Sequence, residues 1–417
     1  MKSLCACMLI GAVPFVYLAT SASAQDQSSP KKHWYVSPPM PLFAPTPDYF
    51  TYPLLPEVAV GPDGWVYVSA WTGVVGSQFR DIHVRARDPA GRWQPPRRVS
   101  HESKLFATYP PKIGATRDGL FLVAWPGAKG GGVRAVIRVS NDHAQSFAKS
   151  FDAGDGLAVL DLDLHVDQQD KVHLAYTAPG VAGNWDIYYR HTVDAHGGSG
   201  GARSGLDASD FSRAENLTSD RKINGSVEVG ASDDVSCFGF GSQRVSGPPG
   251  WAEYIVRSPS GTDRIVLPEL YFFAQVSMSE PGNLACLYVR PVGNTARQYL
   301  IAGKVGALRV EREVPTTSTL NSTHYFGNAL VTWRQRIVVA TECEVPYPYV
   351  ELKVSDDLGR TWGDILDLSA WPGKYGTYQY SPSVAVDENG TIHLVFVGVF
   401  VDEYDGYFIL YTQARYE

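Results

Sequence analysis

The sequence predicts an all-β chain folded as a single β-propeller of seven four-stranded blades, and three observations carry that prediction. Seven times a short apolar strand, a Gly/Asp/Asn turn and a second apolar strand follow one another, at a period of roughly fifty residues. The 40 glycines and 28 prolines interrupt the chain too often for helices, and β-branched and aromatic residues dominate the runs between them. Finally, the last repeat stops one strand short, while an unassigned stretch of strand composition, His33-Trp34-Tyr35-Val36, precedes the first repeat.

First strands start near Pro56, Pro110, Asp161, Asn224, Gln275, Gly327 and Pro382, about 51 to 63 residues apart, which suits four strands per blade. The clearest hairpins are Pro56 to Val60 with Trp65 to Trp71, and Pro382 to Val386 with Thr391 to Val397. The longest interval holds a Gly/Ser/Ala-rich insertion, His196 to Gly205, expected to be a mobile hairpin loop. Third strands show alternation in Asp81 to Arg87 and in Asp186 to His191. Tyr407 to Ala414 is the third strand of the last repeat, so the fourth is expected from the N-terminal stretch, which would close the ring and remove its open edge. Six blades is the alternative if the weak fifth repeat, Ala274 to Pro315, is not a full blade.

Residues 1–24 read as a secretory signal: Lys2, an apolar run from Leu4 to Leu18, and Ala22-Ser23-Ala24 before Gln25. The mature propeller domain is then 25–417, secreted or periplasmic, with no later stretch apolar enough to span a bilayer. Cys5 and Cys7 leave with the signal, and Cys237, Cys286 and Cys343, all in second strands, read as buried thiols and not as a disulfide framework. No Cys/His spacing suggests a metal, and no cofactor is expected. The net charge of −7, or −8 without Lys2, speaks against nucleic acid or an anionic membrane as partner.

Ser355-Asp356-Asp357-Leu358-Gly359-Arg360-Thr361-Trp362 is the most specific motif. Asp357 can accept backbone N–H bonds across a turn, Gly359 permits positive φ, and Trp362 fills the space between strands. Ser140-Asn141-Asp142-His143-Ala144-Gln145-Ser146-Phe147 is a second copy with Ala144 in the glycine position, and Arg87 to Trp93 a shortened third. The motif resembles the Asp-box, S/T-x-D-x-G-x-x-W/F, of the sialidase-like propellers. That resemblance implies a structural role for Ser355, Asp357, Gly359, Trp362, Asp142 and Phe147, on the face opposite the usual site. The sialidases' catalytic set carries over poorly: their opening Arg-Ile-Pro reads Thr51-Tyr52-Pro53 here, and only Tyr380-Ser381 resembles the Tyr-Ser near their nucleophile.

Function is expected at the axial funnel, where loops carry aromatics interleaved with carboxylates, a combination that suits glycans. Tyr378, Tyr380, His324, Asp161 and Asp163 are the candidate catalytic residues, and Tyr109, Trp185, Arg190, Arg244 and Trp251 the candidate substrate binders. Asp161 and Asp163 lie on one face of a first strand, where crowding would raise one pKa as a general acid requires. A propeller that binds a glycan or polysaccharide at the funnel is the leading expectation, with cleavage as a glycoside hydrolase or as a polysaccharide lyase left open. A polysaccharide lyase would use a Tyr or His (His101, Tyr109, His324, Tyr378, Tyr380) with Arg80, Arg190 or Arg244; a lectin or protein-binding propeller would use the same rim without chemistry. His173 and His393 recur at one repeat position and therefore read as structural. Asn216, Asn224, Asn321 and Asn389 begin Asn-x-Ser/Thr sequons.

Overall fold

The computed structural model describes residues 34–43, 54–72, 79–100, 105–106, 110–180, 183–193, 205–220, 222–244, 247–267, 274–279, 282–292, 295–307, 310–316, 328–343, 348–368, 378–400 and 406–416. Seven four-stranded blades form a ring, each an antiparallel meander running outward from the axis. The first comprises Leu54–Val60, Val66–Thr72, Phe79–Arg87 and Arg97–Arg98; the second Lys112–Ala115, Phe121–Lys129, Gly132–Ser140 and Phe151–Asp152. The third comprises Asp161–Val166, Val172–Pro179, Trp185–His191 and Glu215–Asn216; the fourth Lys222–Ser232, Val235–Arg244, Gly247–Ser258 and Gly261–Leu267. The fifth, Ala274–Ser279, Asn283–Val292, Thr295–Lys304 and Val310–Glu313, is a full blade, which removes the six-blade alternative. The sixth comprises Asn328–Trp333, Arg336–Cys343, Tyr349–Ser355 and Leu366–Asp367.

The seventh blade joins both ends of the chain. Tyr378–Val386, Ile392–Phe400 and Gly406–Tyr416 are its first three strands, and Trp34–Val36 pairs antiparallel with the last of them, Trp34 opposite Tyr416 and Val36 opposite Ala414. The ring is therefore closed by the N-terminal strand, as the strand count requires. Ala208–Asp210 forms a short helical turn. The insertion His196 to Gly205 lies almost wholly outside the described residues.

Because strand side chains alternate between faces, each blade is apolar on both and the core is divided among the gaps between blades. In the first blade, Val66, Val68 and Ala70 pack toward Val395, Val397 and Ile409 of the seventh. The intervening Tyr67 and Trp71 pack toward Phe121, Val123 and Trp125 of the second. Cys237, Cys286 and Cys343 are buried thiols in second strands, none of them in a disulfide.

A basic side chain crosses several of these gaps. Arg85, Arg138 and Arg190 occupy one position in the third strands of blades one to three. Each Nε donates to a carbonyl of its own blade (Gln94, Ala148 and Ser212, at 2.9, 2.8 and 2.6 Å). Each Nη1 reaches an older part of the chain (Leu42, Val99 and Ala153, at 2.8, 2.7 and 2.7 Å). In the sixth blade Lys353 takes this place, two residues before Ser355 as Arg138 is before Ser140; it is fully buried and pairs with Glu351 Oε2 at 3.2 Å.

The turns after Ser140 and Ser355 fold alike. Ser355 Oγ donates to Asp357 Oδ1 at 2.8 Å, Gly359 N donates back to Ser355 Oγ at 2.8 Å, and Thr361 N and Oγ1 donate to the two Asp357 oxygens at 2.8 and 2.7 Å. Ser140, Asp142, Ala144 and Ser146 repeat the pattern. The left-handed φ at Gly359, +76°, recurs at Ala144 as +64°, so Ala144 adopts a conformation a glycine would take with less strain. Trp362 packs against the fifth and sixth blades, and Phe147 meets Phe121 edge-on at 6.2 Å. Replacing Asp357 with Ala strands these donors, and equilibrium denaturation should register a loss of about 1–3 kcal/mol.

Candidate active site at the axial mouth

Propeller sheets are radial, so the inner strands do not pair with one another and side chains must fill the axis. At the end where these strands begin, the mouth is lined by Glu57, Lys112, Asp161, Glu228, Gln275 and Asn328 among others. In three blades a bulge opens the inner strand there, between Leu54 and Glu57, Gly225 and Glu228, and Tyr380 and Ser383. Each bulge contains a non-glycine residue with left-handed φ: Leu55 at +48°, Ser226 at +53° and Ser381 at +48°. Such a conformation costs about 1–3 kcal/mol and persists where surrounding structure holds it. Here the segments bearing it carry Glu57, Glu228 and Ser383 to the axis.

Lys112 stands between these acids. Its Nζ lies 3.3 Å from Glu57 Oε1, 3.3 Å from Asp163 Oδ1 and 3.2 Å from Glu228 Oε1, with its side chain only 13% exposed. One ammonium thus ties together the inner strands of blades one to four. Ser383 Oγ donates to Glu57 Oε2 at 2.9 Å, which adds the seventh blade. Asp163 Oδ2 accepts Val229 N at 2.7 Å, and Asp161 Oδ1 accepts Leu162 N at 2.8 Å. The opposite wall is neutral: Gln275 Nε2 donates to the Asn328 carbonyl at 2.5 Å, and Gln298 Nε2 to Asn328 Oδ1 at 2.5 Å.

Four carboxylates around one lysine cannot all be ionised cheaply. Burial would lower the Lys112 pKa, but Asp163, Glu228, Glu57 and Asp161 outweigh it and hold it well above the usual lysine value. Burial, reinforced by Asp163 and opposed by Lys112, pushes Asp161 up to about 7. Glu228 is raised well above the glutamate range by burial and by Asp163. The mouth therefore holds a proton-bearing carboxyl group at neutral pH.

Of the residues expected to act, Asp161 and Asp163 are brought together here. Tyr380 packs instead among Val58, Val395 and Tyr411 in the apolar gap between the seventh and first blades. Tyr378 pairs with Val399 in its strand, and Arg244 with Gly247; their side chains, and all of Tyr109 and His324, lie outside the described residues. Arg190 is a correction. It is 5% exposed and its guanidinium is committed to the carbonyls of Ser212, Ala153, Ala208 and Phe211, so it serves the blade gap and not a ligand. Trp185 and Trp251 belong to the third strands of blades three and four, away from the inner strands; Trp251 Nε1 donates to Glu253 Oε1 at 2.5 Å, and Lys222 sits 5.0 Å above its ring. Asn224 is fully buried with its amide bonded to the Trp185 carbonyl, so its sequon offers no glycosylation site.

The two recurrent histidines are built into equivalent buried relays. His173 lies 3.0 Å from Asp167 Oδ2 and 2.8 Å from the Tyr189 hydroxyl. His393 lies 3.4 Å from Asp387 Oδ2 and 2.8 Å from the Tyr411 hydroxyl. Sequence reasoning missed Lys112, Glu57 and Glu228. Their signal was positional: Glu57, Lys112, Asp163, Glu228 and Ser383 each immediately precede the apolar end of an inner strand.

Lys112→Met would leave the acids uncompensated and should cost about 3–5 kcal/mol at pH 8 by urea unfolding. The raised folded pKa values of Asp161 and Glu228 mean that their ionisation weakens the fold as pH rises, so the deficit of Lys112→Met should shrink toward pH 5. By the same sign, Asp161→Asn should be more stable than the parent above pH 7 and gain little at pH 5.

No protein-family model matches the chain, and no curated protein matches it in sequence. Among solved structures, the polysaccharide lyase Uly1 aligns with a TM-score of 0.54 and 10% identity, over 86% of this chain and 89% of that one. A PL25 ulvan lyase bound to -[GlcA(1-4)Rha3S]- aligns with a TM-score of 0.52 and 11% identity, over 87% and 94%. The Hadza microbial sialidase Hz136 aligns at 0.47 and 12% identity, over 88% and 66%. The likeness to the first two shows a shared propeller fold. Among the described residues no helix is long and apolar enough to cross a membrane.

Proposed function

We propose that the protein is an exported glycoside hydrolase of the sialidase-like, Asp-box propeller group, cleaving a glycan at the axial mouth. One observation carries this reading: Asp161 retains a proton near neutrality beside carboxylates that Lys112 holds at 3.2–3.3 Å. Glycoside hydrolysis needs that pairing, a carboxylic acid to protonate the leaving oxygen and an ionised carboxylate to face the developing positive charge or to activate water. Asp161 is the acid. Glu57 and Asp163, which pair with Lys112, are the candidates for its partner, and Gln275 and Asn328 on the neutral wall suit sugar hydroxyls.

The substrate is a neutral glycan. Carboxylates outnumber the single lysine, and among the described residues lining the mouth there is no arginine to grip a sialate. A second reading, a polysaccharide lyase, draws on the fold-level likeness to Uly1 and the PL25 enzyme. It would need a cation free to neutralise a uronate, and Lys112 is already enclosed by three acids.

A panel of neutral, uronate-containing and sialylated polysaccharides separates the readings. New reducing ends without ultraviolet-absorbing unsaturated products are expected from a neutral substrate. Turnover should fall by about 10²-fold or more in Asp161→Asn and decline as pH rises past about 7. Unsaturated products would overturn hydrolysis in favour of elimination, and binding without products would make the protein a lectin.

A further inference from the structure

We infer a calcium-binding site at the junction of the third and fourth blades, formed by Asn184, Asp186 and the backbone carbonyls of Asp220 and Lys222. It stands apart from the glycan reading and uses none of the residues at the mouth.

The observation is a surplus of oxygen over hydrogen. Asn184 is 6% exposed, and its amide nitrogen faces three acceptors: Asp186 Oδ1 at 3.0 Å, the Lys222 carbonyl at 3.0 Å, and the Asp220 carbonyl. An amide carries only two hydrogens, and Asp186 Oδ1 draws its further donor from Thr218 Oγ1 at 3.3 Å, which leaves none for Asn184 Oδ1. Asn184 Oδ1 is itself buried with no donor among the described residues, at a depth where an unpaired acceptor costs about 1–3 kcal/mol. Gly180 closes the pocket from the other side. A Cβ there would collide with Asp186 Oδ2 and lie 2.8 Å from Asn184 Oδ1, so both oxygens press against a residue with no side chain.

A hard cation resolves the surplus. Seated among these oxygens, it would be met by Asp186 Oδ1 and the two carbonyls, with the Asn184 side chain drawing back and turning so that its Oδ1 becomes a fourth ligand. Calcium takes six to eight oxygens at 2.3–2.6 Å in flexible geometry, with water completing the shell, whereas magnesium demands a tighter octahedron. Thr218 Oγ1 and Asn216 Nδ2 donate to Asp186 at 3.3 and 2.8 Å and fix the orientation of its carboxylate. A single ligating carboxylate implies weak binding, about 10⁻⁴–10⁻³ M, in the range of extracellular modules. The site would pin the segment entering the fourth inner strand, next to the parallel bridge from Trp185 to Ile223 and four residues before Ser226.

Trp185 lies between Asn184 and Asp186 in sequence and provides an optical handle. In the full chain stripped with a chelator, calcium should raise the melting temperature and give a calorimetric isotherm, and magnesium should do so more weakly. Terbium should luminesce on indole excitation and be displaced by calcium. Asp186→Asn should weaken calcium binding by more than about tenfold, and Trp185→Phe should keep the calcium-dependent melting shift while losing most of the terbium signal. If Asp186→Asn does not fold, the Trp185→Phe pair of readouts decides alone. No melting shift and no heat up to about 10 mM calcium, an order above the weakest such sites, would overturn the site, as would terbium emission unchanged in Trp185→Phe.

Discussion

One buried ammonium holds the axis of this propeller together. The apolar contacts act in the gaps between blades, and the hydrogen bonds run outward within each blade. A few hydrogen bonds, such as Gln275 Nε2 to the Asn328 carbonyl, join inner strands of neighbouring blades in pairs. Lys112 joins four of the seven, through Glu57, Asp163 and Glu228. Removing the charges from water is costly, and the attraction among them offsets that cost only while the ammonium keeps its full set of partners. With Asp161 alongside, negative groups exceed the positive one, and the excess is relieved by a retained proton. The same imbalance that strains the axis supplies a group able to protonate a leaving oxygen.

The mouth also depends on backbone strain that side chains have to hold. Leu55, Ser226 and Ser381 adopt left-handed conformations that few non-glycine residues favour, each at a bulge. Pro56 and Pro382 follow two of them, restricting the residue before and stiffening the segment. Without the extra residue the alternation of the strand would turn Glu57 and Glu228 toward a blade face and away from Lys112. The bulges and the lysine are therefore one device: the first aims the acids, and the second makes their approach tolerable.

What could be read from the sequence follows the range of the physics involved. Repeat length, turn residues and strand alternation are local, so the blades, the full fifth repeat excepted, were evident from the chain alone. Closure by Trp34–Val36 followed from counting strands. Asp161 and Asp163 were visible because two acids at a spacing of two share a strand face. Lys112, Glu57 and Glu228 were not, since they meet only across the axis from repeats far apart in sequence. His173 and His393 were understood by comparing repeat positions. The same comparison applied to Arg85, Arg138 and Arg190 would have assigned Arg190 to the blade gap; judged by charge alone it seemed suited to an acidic ligand.

The pairing of Trp34 with Tyr416 makes the seventh blade a composite of two segments separated by almost the whole chain. Bringing such distant segments together costs about 5 kcal/mol of loop-closure entropy if nothing between them is ordered, and far less once six blades have already curved the chain into an arc. The final seam is thus cooperative with everything before it: a blade damaged anywhere alters the arc and moves the two edges out of register. Two strand edges stay exposed until the seam forms, and they are a route to pairing between molecules. A defect far from the seam would then be felt first as association of half-closed rings.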